Sequence, residues 1–247
     1  MKLLDLTLPA PAENLACDEA LLDWCEACPG EEVLRFWESR EHFVVVGYAD
    51  KAASEVNIAA LEAKGIPVYR RCSGGGAVVQ GPGCLSYTLV LKIMEDGPLH
   101  SITSANRFIM ERNRAAIESL FPGRQTPDAT THIAVRGHTD LCLGDLKFSG
   151  NSQRRRKDFL LFHGTFLLNF DLALVNEVLR MPSKPPDYRK RRTHANFLAN
   201  LNVPAEKVKA ALRKAWDADS PLKNPPMGET AVLAKYKYAT PEWNQKF

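Results

Sequence analysis

The run Arg70-Arg71-Cys72-Ser73-Gly74-Gly75-Gly76-Ala77-Val78-Val79-Gln80-Gly81-Pro82-Gly83 sets the terms for the rest of the chain. Two cations lead into three consecutive glycines; an apolar step and a second glycine turn follow. The flanks, Ile66 to Tyr69 and Leu85 to Leu91, are rich in branched and aromatic residues and read as strands. Glycine loses more backbone freedom on folding than any other residue and has no side chain to pack, so three in a row between strands are costly. A plain hairpin turn accounts for such a cluster, and so does a backbone that must approach a ligand or adopt positive φ. The arginines favour the second account, because guanidinium groups beside exposed backbone N–H groups suit a carboxylate or phosphate. Because neighbours alternate along a strand, Arg70 is expected on the side opposite Arg71. Neither a G-x-x-x-x-G-K-[ST] loop nor a G-x-G-x-x-G opening a helix is present.

Working outward, Leu3 to Leu8 alternates as a first strand, and residues 13–28 read as a helix with Leu15, Leu21, Leu22, Cys25 and Cys28 inward, stopped by Pro29-Gly30. Val33 to Trp37 and His42 to Gly47 are expected as strands, and Ser54 to Lys64 as a short helix closed by Gly65. Leu85 to Lys92 is apolar enough for an interior strand. Ser101 caps a helix to about Leu120, with Ala105, Phe108, Ile109, Ala116, Ile117 and Leu120 on one side, and Pro122 and Pro127 mark a loop. Strand texture returns at Leu141 to Leu143, Leu146 to Ser152, Leu160 to Phe162 and Thr165 to Asn169. A helix from Asp171 to Leu179, a proline-rich loop from Pro182 to Tyr188 with a basic run Arg189 to Arg192, a helix opened by Val203-Pro204 and a last one over Glu229 to Tyr236 complete the chain. The expected class is α/β (α+β): mixed, largely antiparallel sheets flanked by helices, forming a single domain over 1–247.

Composition narrows the function. At 247 residues, 45% hydrophobic and 25% charged, the chain can bury a sizeable core. A net charge of +3 is too mild to imply a nucleic-acid partner. No apolar run reaches membrane-span length and Met1 to Leu8 lacks a secretory core, so the expectation is a cytoplasmic protein with no membrane partner. Six scattered cysteines fit a reducing compartment, and the lone Cys25-x-x-Cys28 has no second pair at zinc spacing, so no metal site is expected. Arg154-Arg-Arg-Lys157 is a dense cation run, expected in a loop, with solvation, triphosphate contact or docking of an acidic acceptor as its readings.

A second stretch sharpens the reading: Gly144-Asp-Leu-Lys147-Phe-Ser149-Gly150-Asn-Ser-Gln153, followed by Phe162-His163-Gly164-Thr165-Phe-Leu-Leu168. Together with the glycine run, this resembles the lipoate-protein ligase A family within the wider group of biotin/lipoate ligases and octanoyltransferases. That family carries R-R-x-S-G-G-G-[AT]-V, then K-x-[SA]-G-[SN]-[AS] with an essential lysine, then H-G-[ST]-[LF]-L, and all three occur here in order. Asn14 to Leu21, Leu34 to Trp37 and Val46-Gly-Tyr48 are similar to further family segments.

The resemblance implies a class II biotin/lipoate ligase-like catalytic domain. It implies activation of lipoate (or octanoate) with ATP and Mg2+ to an acyl-adenylate, then transfer to a lysine of a lipoyl acceptor domain. Lys147 is the residue it assigns to catalysis, where a compact ammonium can follow charge between acyl oxygen and α-phosphate. The backbone of Ser73, Gly74, Gly75, Gly76 and Ala77 is expected to line the lipoyl tunnel. Arg71, Gln80, Asp140, Ser149, Gly150, His163, Gly164 and Thr165 are the further substrate- or nucleotide-binding positions. For His163 a structural bond to backbone is favoured over a catalytic base. For Asp140, a magnesium or nucleotide role and a turn role both stand.

The chain departs from the family pattern at Gln80-Gly81, where His-Asp is usual, and at Cys84, where asparagine is usual. No small C-terminal domain of the kind full-length ligases carry is expected after the large one, and the resemblance then implies a separate small accessory subunit or a weak activating half-reaction. The nearest alternative is an ATP-independent octanoyl or lipoyl transferase working through a cysteine about fifteen residues before the lysine. His132 stands at that position, leaving Cys142 and Cys84 as substitutes. The arginine-rich biotin ligase loop is absent. A non-catalytic lipoyl-binding relative is the remaining alternative.

Overall fold

A strand that is apolar at every position needs cover on both faces, and this chain has several. The computed structural model describes residues 1–28, 30–122 and 132–247. β1 (Lys2–Asp5), α1 (Pro11–Ala27), β2 (Val33–Trp37) and β3 (Phe43–Val46) come first. α2 (Ala52–Glu55), α3 (Ile58–Lys64), β4 (Val68–Arg70), β5 (Val78–Gln80), β6 (Cys84–Lys92) and α4 (Ile102–Glu118) follow. Then come β7 (Ile133–Arg136), β8 (Asp140–Leu143), β9 (Leu146–Arg155), β10 (Phe159–Leu167) and α5 (Leu172–Val178). α6 (Ala205–Ala215), β11 (Ser220–Pro221), α7 (Met227–Leu233) and α8 (Pro241–Asn244) close the chain.

Among the described residues, one sheet has the order β11-β1-β2-β6-β10-β9-β8-β7 and a smaller one the order β4-β3-β5. β1 runs parallel to β2 and β11, and β3 parallel to β4; the other pairings are antiparallel. The mixed, largely antiparallel architecture expected from the sequence is the one observed.

Side-chain alternation explains the layers. Leu85, Tyr87, Leu89 and Leu91 of β6 face a core closed by Ile109 and Ala116 of α4 and by Val208 and Leu212 of α6. Val90 points the other way and joins Val33, Phe159 and Leu161 against Leu21, Leu22 and Cys25 of α1. In β3, Val44 and Val46 pack on Leu61 and α5, whereas Phe43 and Val45 pack on Leu15 and Trp37. α1 thus lies between the two sheets, which is why it is buried around most of its circumference.

Several expected boundaries shift. The helix expected over Ser54 to Lys64 breaks at Val56, which bridges to Leu179; Asn57 then caps α3 by accepting from Ala60 N. Cys28 is exposed rather than inward. The strands expected at Leu160 to Phe162 and Thr165 to Asn169 are one strand, because His163 and Gly164 keep pairing with Ser152 and Asn151. The last helix passes from α7 into a π-helical turn at Ala234–Tyr238. Pro29 and Pro127, expected as breakers, lie outside the described residues.

Candidate active site

Where the bend between β4 and β5 faces the β8–β9–β10 arm of the larger sheet, the structure encloses a cavity of about 800 Å³. Leu15, Trp37, Val45 and Tyr87 give it an apolar wall, and Lys147, Asp140 and His163 give it a polar one. Gly75, Gly76 and Ala77 line it, as do Arg71, Gln80, Ser149, Gly150, Gly164 and Thr165. Among the described residues, Ser73 and Gly74 of the expected set do not: Ser73 is buried behind the bend and Gly74 is exposed outside it.

The bend is held from within. Arg71 Nη2 donates to Gly74 O at 2.5 Å and to Gly76 O at 2.9 Å, while Nε donates to Ser73 Oγ at 3.1 Å. Burial lowers this guanidinium to about 10, which leaves it charged at neutral pH. Arg71 lines the cavity, and the donors it turns to the Gly74 and Gly76 carbonyls also brace the loop. Arg70 does face the opposite side, donating to Gly47 O at 2.8 Å, Asp50 O at 2.7 Å and Trp243 O at 3.0 Å. Gly75 has φ +86°, and a Cβ at Gly47 would meet Gly75 O at 1.8 Å, so glycine is required on both sides of this close approach.

The lysine arm is built differently. Lys147 Nζ lies 2.8 Å from Asp140 Oδ1, and Tyr188 OH donates to Asp140 Oδ2 at 2.7 Å. Burial and the neighbouring carboxylate push the Tyr188 phenol up, which keeps it a donor. The ammonium lies across Gly150, whose absent Cβ would sit 2.7 Å from Nζ. This is the physical content of a glycine three residues after the lysine. Gln80 donates to Thr165 Oγ1 at 3.0 Å, and its own Oε1 has no partner among the described residues.

His163 corrects a second expectation. Its ring bonds side chains and not backbone: Nε2 lies 2.5 Å from Ser73 Oγ and Nδ1 lies 3.2 Å from Asp18 Oδ2. Asp18 in turn meets Arg35 Nη1 at 2.5 Å. Burial raises the Asp18 carboxyl, but Arg35 and His163 outweigh it and hold the group below its ordinary range.

The cation run also differs from expectation. Arg154 and Arg155 belong to β9; Arg154 stacks over Tyr48, Arg155 donates to Leu99 O, and Arg156 pairs with Asp23 at 2.7 Å. Sequence reasoning missed Asp18, Asn151 and Tyr188. Asp18-Glu19 was visible as a polar interruption of an apolar helix, whereas Tyr188 sat in an uninformative proline-rich loop.

Among the described residues, no three carboxylate, histidine or cysteine side chains gather as a metal cage, and no helix is long and apolar enough to cross a membrane.

Known proteins resemble the chain over nearly its whole length. Octanoyltransferase LipM of Geobacillus kaustophilus (strain HTA426) is 26% identical over 263 residues, covering 96% of this chain and 94% of that protein. A structure described as a bi-partite lipoate protein ligase and its E2 lipoyl domain, from Thermoplasma acidophilum, superposes with a TM-score of 0.80 at 25% identity, covering 99% and 95%. A lipoate-protein ligase A bound with ATP gives 0.79 at 27% identity, covering 99% and 98%. The family model described as the lipoyl protein ligase A/B catalytic domain matches residues 10–217, and the chain belongs to that family.

Proposed function

We propose that this protein is an acyl-adenylate-forming lipoate-protein ligase. A carboxylate oxygen of lipoate or octanoate attacks the α-phosphorus of ATP and pyrophosphate leaves. The amine of an acceptor-domain lysine then attacks the acyl carbon, AMP leaves, and one proton is released as the amide forms. Lys147 supplies the positive charge at the junction where both bonds change. The apolar wall of Leu15, Trp37, Val45 and Tyr87 takes the acyl chain. Lys147 and Tyr188 engage both Asp140 oxygens and no carboxylate cluster forms among the described residues, so Mg2+ would enter only as an ion carried with the nucleotide phosphates.

One observation carries the preference for ATP over a thioester: no cysteine faces the cavity. The chain has six, and among the described residues none lines it. His132, where a transferase would carry its cysteine, pairs with Glu118 at 3.4 Å. Burial pushes the Cys142 thiol up to about 11 and the Cys84 thiol up to about 12, so neither is a thiolate at neutral pH. The segment 123–131 contains no cysteine.

The naming of curated relatives as octanoyltransferases keeps a second reading, ATP-independent transfer, in view. Supplying lipoate with ATP in one reaction and an octanoyl thioester without ATP in another separates them by which one labels an acceptor domain. Labelling from the thioester alone overturns the ligase reading. The bi-partite neighbour supports a lipoyl domain as acceptor and a separate accessory subunit as partner, checked by whether adding such a subunit raises the adenylation rate.

A further inference from the structure

The cavity wall carries a proton relay that adenylation itself does not require. Asp18 is held ionised, so its Oδ2 accepts a hydrogen bond from the Nδ1–H of His163 across 3.2 Å. When the ring carries only that proton, Nε2 accepts from the Ser73 hydroxyl at 2.5 Å. Ser73 Oγ has two lone pairs, filled by Arg71 Nε at 3.1 Å and by the Ser152 hydroxyl at 2.8 Å. Each hydroxyl owns one proton, so the direction of the chain is fixed. Ser152, which lines the cavity, spends its proton inward and offers a ligand only lone pairs. A solvent proton on Nε2 reverses the order: His163 donates to Ser73, Ser73 donates to Ser152, and Ser152 turns its own proton to the cavity. No covalent bond changes apart from N–H formation at His163.

We propose that Asp18, His163, Ser73 and Ser152 couple protonation to anion binding, so that the carboxylate of the acyl substrate docks at Ser152 with uptake of a proton by His163. The inference rests on the acyl-acid reading above and adds a specific recognition device to it. Among the described residues, Asp18 from α1 bonds the ring, Arg35 of β2 stands behind Asp18, and Arg71, just after β4, reaches the same Ser73 hydroxyl as the ring does. His138 and His194 also line the cavity and remain as internal controls.

Octanoate is the probe. Calorimetric titration near neutral pH in buffers of different ionisation enthalpy counts the protons taken up on binding, up to about one per site. The wild type is expected to take up a clear fraction of a proton, and Ser152→Ala to bind octanoate more weakly with no uptake. His163→Gln, which keeps hydrogen bonding but cannot charge, is expected to lose the uptake too. Undiminished uptake in Ser152→Ala would overturn the relay, and undiminished uptake in His163→Gln would overturn it by placing the proton elsewhere, as at His138 or His194. Zero uptake in a wild type that binds octanoate tightly would also overturn it, leaving the acyl-acid reading intact. No binding of octanoate or lipoate at all would overturn that reading and the relay together.

Discussion

The two walls of the cavity carry positive charge in opposite ways. At the glycine bend, Arg70 and Arg71 spend their donors on the protein's own carbonyls, and the loop that follows them is fixed from inside by Arg71. On the β8–β9 arm, Lys147 has one charged partner, Asp140, across 2.8 Å, and its side chain is 23% exposed. A guanidinium with several planar donors suits a permanent brace; a compact ammonium with a single exchangeable partner suits a charge that must meet a changing ligand. The difference teaches that cation count beside a pocket says little about anion recognition. What matters is whether the cation is already committed.

The sharpest break in that contrast is Lys147→Ala. It is expected to raise the activation barrier by about 3 kcal/mol or more, on the scale of losing one preorganised donor, while leaving the melting temperature nearly unchanged. Arg71→Met should do the reverse. Leaving the Gly74 and Gly76 carbonyls without their donor is expected to cost about 2 kcal/mol of stability, read from denaturant unfolding. Gly75→Ala places a side chain at φ +86° and is expected to cost about 1–2 kcal/mol of stability by the same measurement. Gly150→Ala sharpens the lysine side. Its new methyl meets the mobile end of Lys147, so stability should hold while kcat falls about tenfold, or about 1.4 kcal/mol, as the ammonium is displaced. Cys142→Ser should change acyl transfer least, since its thiol only reaches Tyr188 OH at 3.6 Å; loss of labelling in that variant would revive a thioester route.

Much of this was legible in the chain itself. β6 and β3 announced themselves as continuous apolar runs, and Lys147-x-Ser-Gly150 announced a charge laid over a bare backbone. What was not legible depends on long-range pairing. Whether Arg71 faces a ligand or a carbonyl is decided by how the bend curls, and local alternation does not encode that. His163 and Asp18 are 145 residues apart, and their bond exists only because α1 is pressed between two sheets. The break at Val56 needs Leu179 to pair with it, so a helical period through Ser54 to Lys64 could not reveal it.

The most direct test of the central claim is pyrophosphate release with ATP and lipoate or octanoate, compared between the wild type and Lys147→Ala with folding checked in both. The account predicts release by the wild type, and retained folding with release lost in the variant. Release by Lys147→Ala at the wild-type rate would contradict it.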